Sequence, residues 1–279
     1  MPVTVLARSA RPRAALRIAL LACSAGACVA AGASQGGDTL GMAALTHPLA
    51  RVVPSAEVRW QSSMAAFAAA DREQQPASDG VLFVGSSTIR MWSQLSQEFR
   101  QAPVVINRGF GGSTMADCHY FVKQLVVQYR PRQVLVYAGD NDLAVGRTPA
   151  QVLASFQGFV QTVRKARPDT VIDYISIKPS PSRAGLMPQI RETNALVEAY
   201  VRTLPNTRYI DVFSKMLDGR GAPREDLFRA DRLHMNDEGY ALWRSVISAY
   251  VRPAAQGEEA SAAAARQPEL GMSSASYQP

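Results

Sequence analysis

Five short apolar runs, most of them separated by stretches of helical periodicity, limit most sharply what this chain of 279 residues can fold into. The runs are Val81–Val84 (VLFV), Val104–Asn107 (VVIN), Val134–Ala138 (VLVYA), Val171–Ile177 (VIDYISI) and Tyr209–Val212 (YIDV). They are β-branched or aromatic and nearly continuous, the pattern of strands covered on both faces. Helical patterns span Met115–Tyr129, Pro149–Arg167 and Pro188–Leu204, with Glu57–Gln75 before the set and Asp237–Val251 after it. In the leading helix Met64 and Phe67 read as a core stripe. Strand–helix alternation of this kind implies right-handed crossovers and a parallel sheet with helices on both faces. The expectation is a three-layer α/β fold, flavodoxin-like, with a five-stranded parallel sheet flanked by helices. In such a sheet, chemistry gathers beyond the carboxyl ends of the strands.

The flanks of this block carry a different message. The formal charge of +7 invites a nucleic-acid reading, but Arg8, Arg11, Arg13 and Arg17 lie in residues 1–33, which hold no acid, so the remainder stands at only +3. No dense basic run is left, and no nucleic-acid partner is expected. The four arginines precede an apolar run from Ile18 to Ala33, and Ala31-Gly32-Ala33 offers small residues for cleavage, so residues 1–33 read as an export signal. The run is rich in Ala and Gly and short against the ~20 strongly apolar residues of a membrane span. Cys23 follows Leu20-Leu21-Ala22, similar to a lipoprotein box, so a membrane tether is expected only if Cys23 is lipidated. The chain is thus read as periplasmic or secreted. Removal of the leader leaves Cys118 alone and no intramolecular disulfide. Residues 34–54 read as a flexible lead-in, 55–253 as one domain, and 254–279, poor in large apolar residues, as a disordered tail.

The residues at the strand ends are rich in chemistry. Gly85-Ser86-Ser87-Thr88 comes after the first strand, Asn107-Arg108-Gly109-Phe110-Gly111-Gly112-Ser113 closes the second, and Gly139-Asp140-Asn141-Asp142 comes after the third. Asp231-Arg232-Leu233-His234 lies past the fifth, before the last helix. A serine, a glycine-rich turn, an asparagine and an Asp-x-x-His facing one crevice are the parts of a serine acyl hydrolase. A serine hydroxyl is a weak nucleophile until an imidazole takes its proton, and a carboxylate must fix that imidazole's tautomer. The histidines are His47, His119 and His234. His47 falls in the lead-in and His119 within a helical pattern, whereas His234 has Asp231 three residues upstream, so His234 is read as the base. Donors for the oxyanion are expected from Gly112 and the Asn141 amide, with the Ser87 N–H as a third. Such an imidazole base requires the ester rate to rise with pH.

Competing readings fail on spacing. A dinucleotide fingerprint on Gly109-Phe110-Gly111-Gly112 would need glycine at Thr114 and an acid near Tyr129. There is no G-x-S-x-G elbow and no S-x-x-K. Asp140, Asp142, Asp231 and His234 could be drawn as a metal cluster, but they include no close pair of histidines, and no metal or other cofactor is expected.

In these four blocks and their order the sequence resembles the SGNH, or GDSL-type, hydrolases over about Val81 to Val251. The resemblance implies Ser87 as nucleophile and oxyanion donor, Gly112 and Asn141 as further donors, and an Asp231–His234 pair, in a chain that needs no cofactor. It departs at one place: the usual Gly-Asp-Ser is Gly-Ser-Ser, with Ser86 where the aspartate would be. Ser86 could give that turn a weaker hydrogen bond, and the family's register favours Ser87 over Ser86 as the nucleophile. The implied activity is hydrolysis of a small-molecule or carbohydrate acyl ester, with short or acetyl groups the first expectation because no long apolar lid is evident. Acyl transfer to a sugar hydroxyl and a non-catalytic carbohydrate- or envelope-binding module are the alternatives. Arg90, Asp140, Asp142 and Lys178 are expected at the substrate cleft, Arg90 either pairing with Asp140 or Asp142 or standing as a surface charge. Ile177–Arg183, stiffened by two prolines, is read as an anchored connection.

Overall fold

The computed structural model describes residues 55–253, so the leader, Cys23, His47, the lead-in and the tail lie outside the described residues. Strands β1 (Val81–Gly85), β2 (Val105–Gly109), β3 (Gln133–Tyr137), β4 (Val171–Ile175) and β5 (Thr207–Ile210) form one sheet in the order β2-β1-β3-β4-β5. Every pairing is parallel. The order reverses between β1 and β3, and the ends of those two strands bound the crevice such folds use for ligands.

Helices α1 (Ala56–Glu73), α2 (Ser87–Arg90), α3 (Leu95–Glu98), α4 (Met115–Tyr120), α5 (Val122–Leu125), α6 (Asp140–Ala144), α7 (Pro149–Ala166), α8 (Met187–Val201) and α9 (Asp237–Ile247) complete the fold. Alternate residues of β1 explain its unbroken apolar run. Leu82 and Val84 enter a core shared with α4, α5, α7 and α8, while Val81 and Phe83 enter a second core with Trp92, Phe99 and the Trp243 of α9. All four of these β1 residues are fully buried. Met64 and Phe67 pack against the first core as partly buried residues.

One helix differs from expectation. The pattern over Met115–Tyr129 breaks into α4, α5 and a short turn, with Phe121 and Val126 leaving helical geometry. Phe121, Val122, Leu125 and Val126 are all buried in the first core, and the β-branched Val122, Val126 and Val127 are weak helix formers, so the packing of these side chains prevails over the helical pattern. His119 is accounted for by the same region. Its ring lies against Gly158 of α7, where an added Cβ would stand 2.2 Å from Cε1.

Helix α1 has only Trp60 buried, yet it is fastened at two points. Trp60 meets Phe110 edge to face at 5.0 Å, and Asp71 accepts hydrogen bonds from Arg108 of β2 and from the Tyr129 hydroxyl, each at 2.5 Å. The helix is thereby held beside the glycine-rich turn at the end of β2.

Candidate active site

Ser87 is the first residue of α2, immediately beyond the end of β1. His234 reaches it from the loop before α9: Nε2 lies 3.0 Å from Ser87 Oγ, and Nδ1 lies 2.7 Å from Asp231 Oδ2. The other oxygen of Asp231 accepts the backbone N–H groups of Leu233 and His234, both at 2.9 Å. The loop makes this closure with Arg232 at φ 58°, so the carboxylate folds back on its own backbone. Those bonds, the one with the His234 ring foremost, pull the Asp231 carboxyl down to about 2. Asp231 therefore stays ionised across any ordinary assay range, and loss of activity toward mild acid would not report its protonation.

Asn141, the second residue of α6, is oriented on both sides of its amide. Nδ2 donates to the Ser113 carbonyl at 3.0 Å, and Oδ1 accepts from Arg183 Nη2 at 2.9 Å. With Oδ1 occupied, the second N–H of Nδ2 is the group left to donate. Ser87, Gly112, Asn141 and His234 line one open cavity of about 530 Å³, together with Ser63, Arg90, Gly111 and Leu233. A serine hydroxyl on an imidazole, an imidazole on a carboxylate, and an amide aimed at the same space can carry out acyl transfer from an ester.

The structure corrects several expectations. Asp140, Asp142 and Lys178 do not line the cavity; all three are buried. Lys178 Nζ donates to the Tyr137 hydroxyl at 3.2 Å and stands 3.5 Å from Asp140 Oδ2, and Arg183 bonds the Asp140 carbonyl and lies 3.7 Å from the same carboxylate. Burial would raise the Asp140 carboxyl, but these two cations outweigh it and leave it below the usual range. Burial likewise lowers Lys178. Such an enclosed, mutually paired group holds a shape and offers no open face to a substrate. Arg90 does line the cavity, but it pairs with neither Asp140 nor Asp142, because both carboxylates are enclosed with other partners. Ser86 does not give its turn a hydrogen bond: its Oγ is buried with no partner. Of the residues of the metal reading, Asp231 and His234 pair with each other while Asp140 and Asp142 are buried with other partners, and no cluster of three or more His, Cys, Asp or Glu ligands forms among the described residues.

Arg183 and Ser63 escape a reading of the sequence. Arg183 sits in the Pro-rich connection, which does anchor the chain but also delivers a guanidinium to Asn141; nothing in its spacing marks it. Ser63 is placed only by the fastening of α1. Asn107 is a third omission: its Nδ2 donates to the Ile89 carbonyl at 2.8 Å and its Oδ1 accepts from Gly109 N at 2.9 Å, tying α2 to the end of β2.

Asp142 has another consequence. Its Oδ2 accepts the Met115 N–H at 2.7 Å while Oδ1 is buried without a partner. Burial raises its carboxyl to about 6, against the opposing pull of the Met115 N–H. A carboxyl raised on folding holds its proton more tightly in the native than in the unfolded chain, so its contribution to stability fades as pH rises from about 4 through 6. Asp142→Asn is expected to stabilise the protein at pH 7–8 by about 1–3 kcal/mol, with the gain disappearing near pH 4. The difference in Tm between variant and wild type across that range is the check.

Residues 77–242, more than half of the chain, match the model of the GDSL-like Lipase/Acylhydrolase family. The chain belongs to this family. This GDSL-like acylhydrolase is accordingly an ester hydrolase. Its fold is shared with a Streptococcus pneumonia protein described as a candidate platelet activating factor, at 18% identity and TM-score 0.62 over 69% of this chain and 93% of that one. A GDSL-like lipase from Bacteroides thetaiotaomicron is similar at 20% identity and TM-score 0.56, covering 69% and 95%. An acetyl-xylooligosaccharide esterase variant from Geobacillus stearmophilus is similar at 14% identity and TM-score 0.51, covering 64% and 99%. No functionally curated protein matches the sequence.

Proposed function

We propose that the chain is an exported serine esterase acting on short acyl esters, among which acetyl groups on carbohydrate are the first to test. The observation that carries the reading is the continuous relay Ser87 Oγ, His234 and Asp231, with contacts of 3.0 and 2.7 Å. Ser87 Oγ attacks the ester carbonyl as His234 Nε2 takes its proton, and Asp231 holds Nδ1–H and stabilises the imidazolium. Asn141 Nδ2, with the N–H groups of Gly112 and Ser87, receives the oxyanion. His234 returns the proton to the departing alkoxide, leaving acyl-Ser87. Water then attacks the acyl carbonyl, its proton going to His234, and collapse restores the serine and releases the acid.

A short acyl group is favoured because the cavity wall is polar or small apart from Leu233. The carbohydrate suggestion draws on the Geobacillus esterase, whose substrate is an acetylated xylooligosaccharide. Export rests on residues 1–33, and residues 55–253 are taken as the whole hydrolase domain. The test is turnover of 4-nitrophenyl acetate and an acetylated xylooligosaccharide by wild type and Asn141→Ala. The variant is expected to lose about 10²–10³ in kcat with smaller change in KM, the effect of deleting one oxyanion donor. Equal kcat in the two proteins would remove Asn141 from the chemistry, and no turnover of either ester would remove the esterase reading. The mass of the protein recovered outside the cytoplasm shows whether residues 1–33 have been cleaved.

A further inference from the structure

Arg90 is an exposed cation on the wall of the same cavity as Ser87, three residues along the chain from it. Its guanidinium is seated rather than free: it lies on Gly111, where an added Cβ would stand 2.8 Å from Nε and 3.1 Å from Cζ and Nη2. The seat itself is closely packed. Gly109, two residues earlier, abuts the backbone of α2 so closely that a Cβ would fall 2.2 Å from Arg90 N, and Asn107 clamps the same helix. No carboxylate pairs with Arg90 among the described residues, and none lines the cavity. Asp231, the acid of the relay, spends its two oxygens on the His234 ring and two backbone N–H groups. The buried acids Asp140 and Asp142 are held by other partners. The wall thus presents one uncompensated guanidinium beside the nucleophile.

We infer that Arg90 forms an anion subsite, and that the preferred ester carries an oxyanion group, carboxylate or phosphate, on its acyl or alcohol half close to the scissile bond. A guanidinium is always charged and presents a planar fork matched to such groups. In a concave site with no acid on its wall, its field also raises the local concentration of anionic substrate. The inference rests on the proposed ester chemistry for the role of the bound group, but binding can be read without turnover.

The experiment uses two ester pairs of equal size: 4-carboxyphenyl acetate against 4-carbamoylphenyl acetate, and the mono-4-nitrophenyl ester of fumaric acid against that of fumaramic acid, whose trans double bond keeps the carboxylate from attacking its own ester. Titration calorimetry on Ser87→Ala protein measures affinity, and wild-type kinetics measure turnover. The expected result is at least tenfold tighter binding of the anionic member of one pair, shrinking as salt is raised, and lost in Ser87→Ala/Arg90→Gln. The ratio of kcat/KM, anionic over neutral, should fall by the same factor in Arg90→Gln. Arg90→Lys keeps the charge without the fork and is expected to fall between. Equal affinity within both pairs, or a preference that survives Arg90→Gln, overturns the subsite. Preferential binding without hydrolysis of any ester would retain the subsite and reject the esterase reading, so the two failures are distinct.

Discussion

Ser87→Ala is expected to lower kcat/KM for a short acyl ester by a factor of about 10⁴ or more, while Ser86→Ala stays within about threefold of wild type. The two hydroxyls are adjacent in sequence and differ entirely in surroundings. Ser87 Oγ is in the cavity, 3.0 Å from His234 Nε2, so its loss removes the nucleophile and leaves only the residual effect of binding and oxyanion donors. Ser86 is 1% exposed, caps α2 without a side-chain hydrogen bond, and its Oγ has no partner. Removing a buried hydroxyl that bonds to nothing costs no hydrogen bond and relieves a desolvated polar group, so Ser86→Ala should be as stable as wild type or slightly more so. Steady-state kinetics on the three proteins, with thermal melts to confirm folding, decide the matter. Loss of activity in Ser86→Ala alone would reverse the assignment, and equal activity in all three would end the serine mechanism.

The same pair of serines shows where sequence reasoning has purchase. Strand runs such as VLFV are legible because burial on both faces of a parallel strand leaves no polar alternation, and the crevice residues are legible because they sit at strand ends in a fixed order. His234 and Asp231 can be matched because three residues suffice for a loop carboxylate to reach a ring nitrogen. Lys178, Asp140 and Asp142 mislead because sequence gives position along the strand end but not depth: all three come after strands, yet their side chains are enclosed with one another or with backbone. Arg183 is invisible for the complementary reason, since its contact with Asn141 bridges 42 positions of chain. The glycines of the second block are legible as turn formers, but what Gly109 and Gly111 accommodate is the body of α2 and the Arg90 guanidinium, contacts that no local pattern encodes.

Gly85 is the position where backbone packing should produce the largest effect on folding. It ends β1 opposite Tyr137 of β3 and Gly109 of β2, with φ at 150°. An added Cβ would stand 1.9 Å from the Tyr137 carbonyl oxygen and 2.8 Å from its carbon. That oxygen cannot retreat cheaply, because it accepts the Ser86 N–H at 3.1 Å, while the Gly85 carbonyl accepts the Phe110 N–H at 2.9 Å. Gly85→Ala must therefore pry apart β1 and β3 at their carboxyl ends, and a cost of about 4 kcal/mol or more is expected, against a typical total stability of about 5–15 kcal/mol. Gly146 provides the contrast. It also has positive φ, 84°, but a Cβ there meets nothing within 4 Å, so Gly146→Ala should carry only the strain of a left-handed alanine, about 1–2 kcal/mol. Chemical denaturation of the two variants separates steric approach from backbone conformation. If Gly85→Ala unfolds no more readily than Gly146→Ala, the close approach of β1 to β3 is wrong. If it is far less stable, and the folded remainder has also lost activity, the glycine that precedes the two serines serves the site by letting the sheet close behind Ser87, since an ångström of displacement there is worth about a hundredfold in rate.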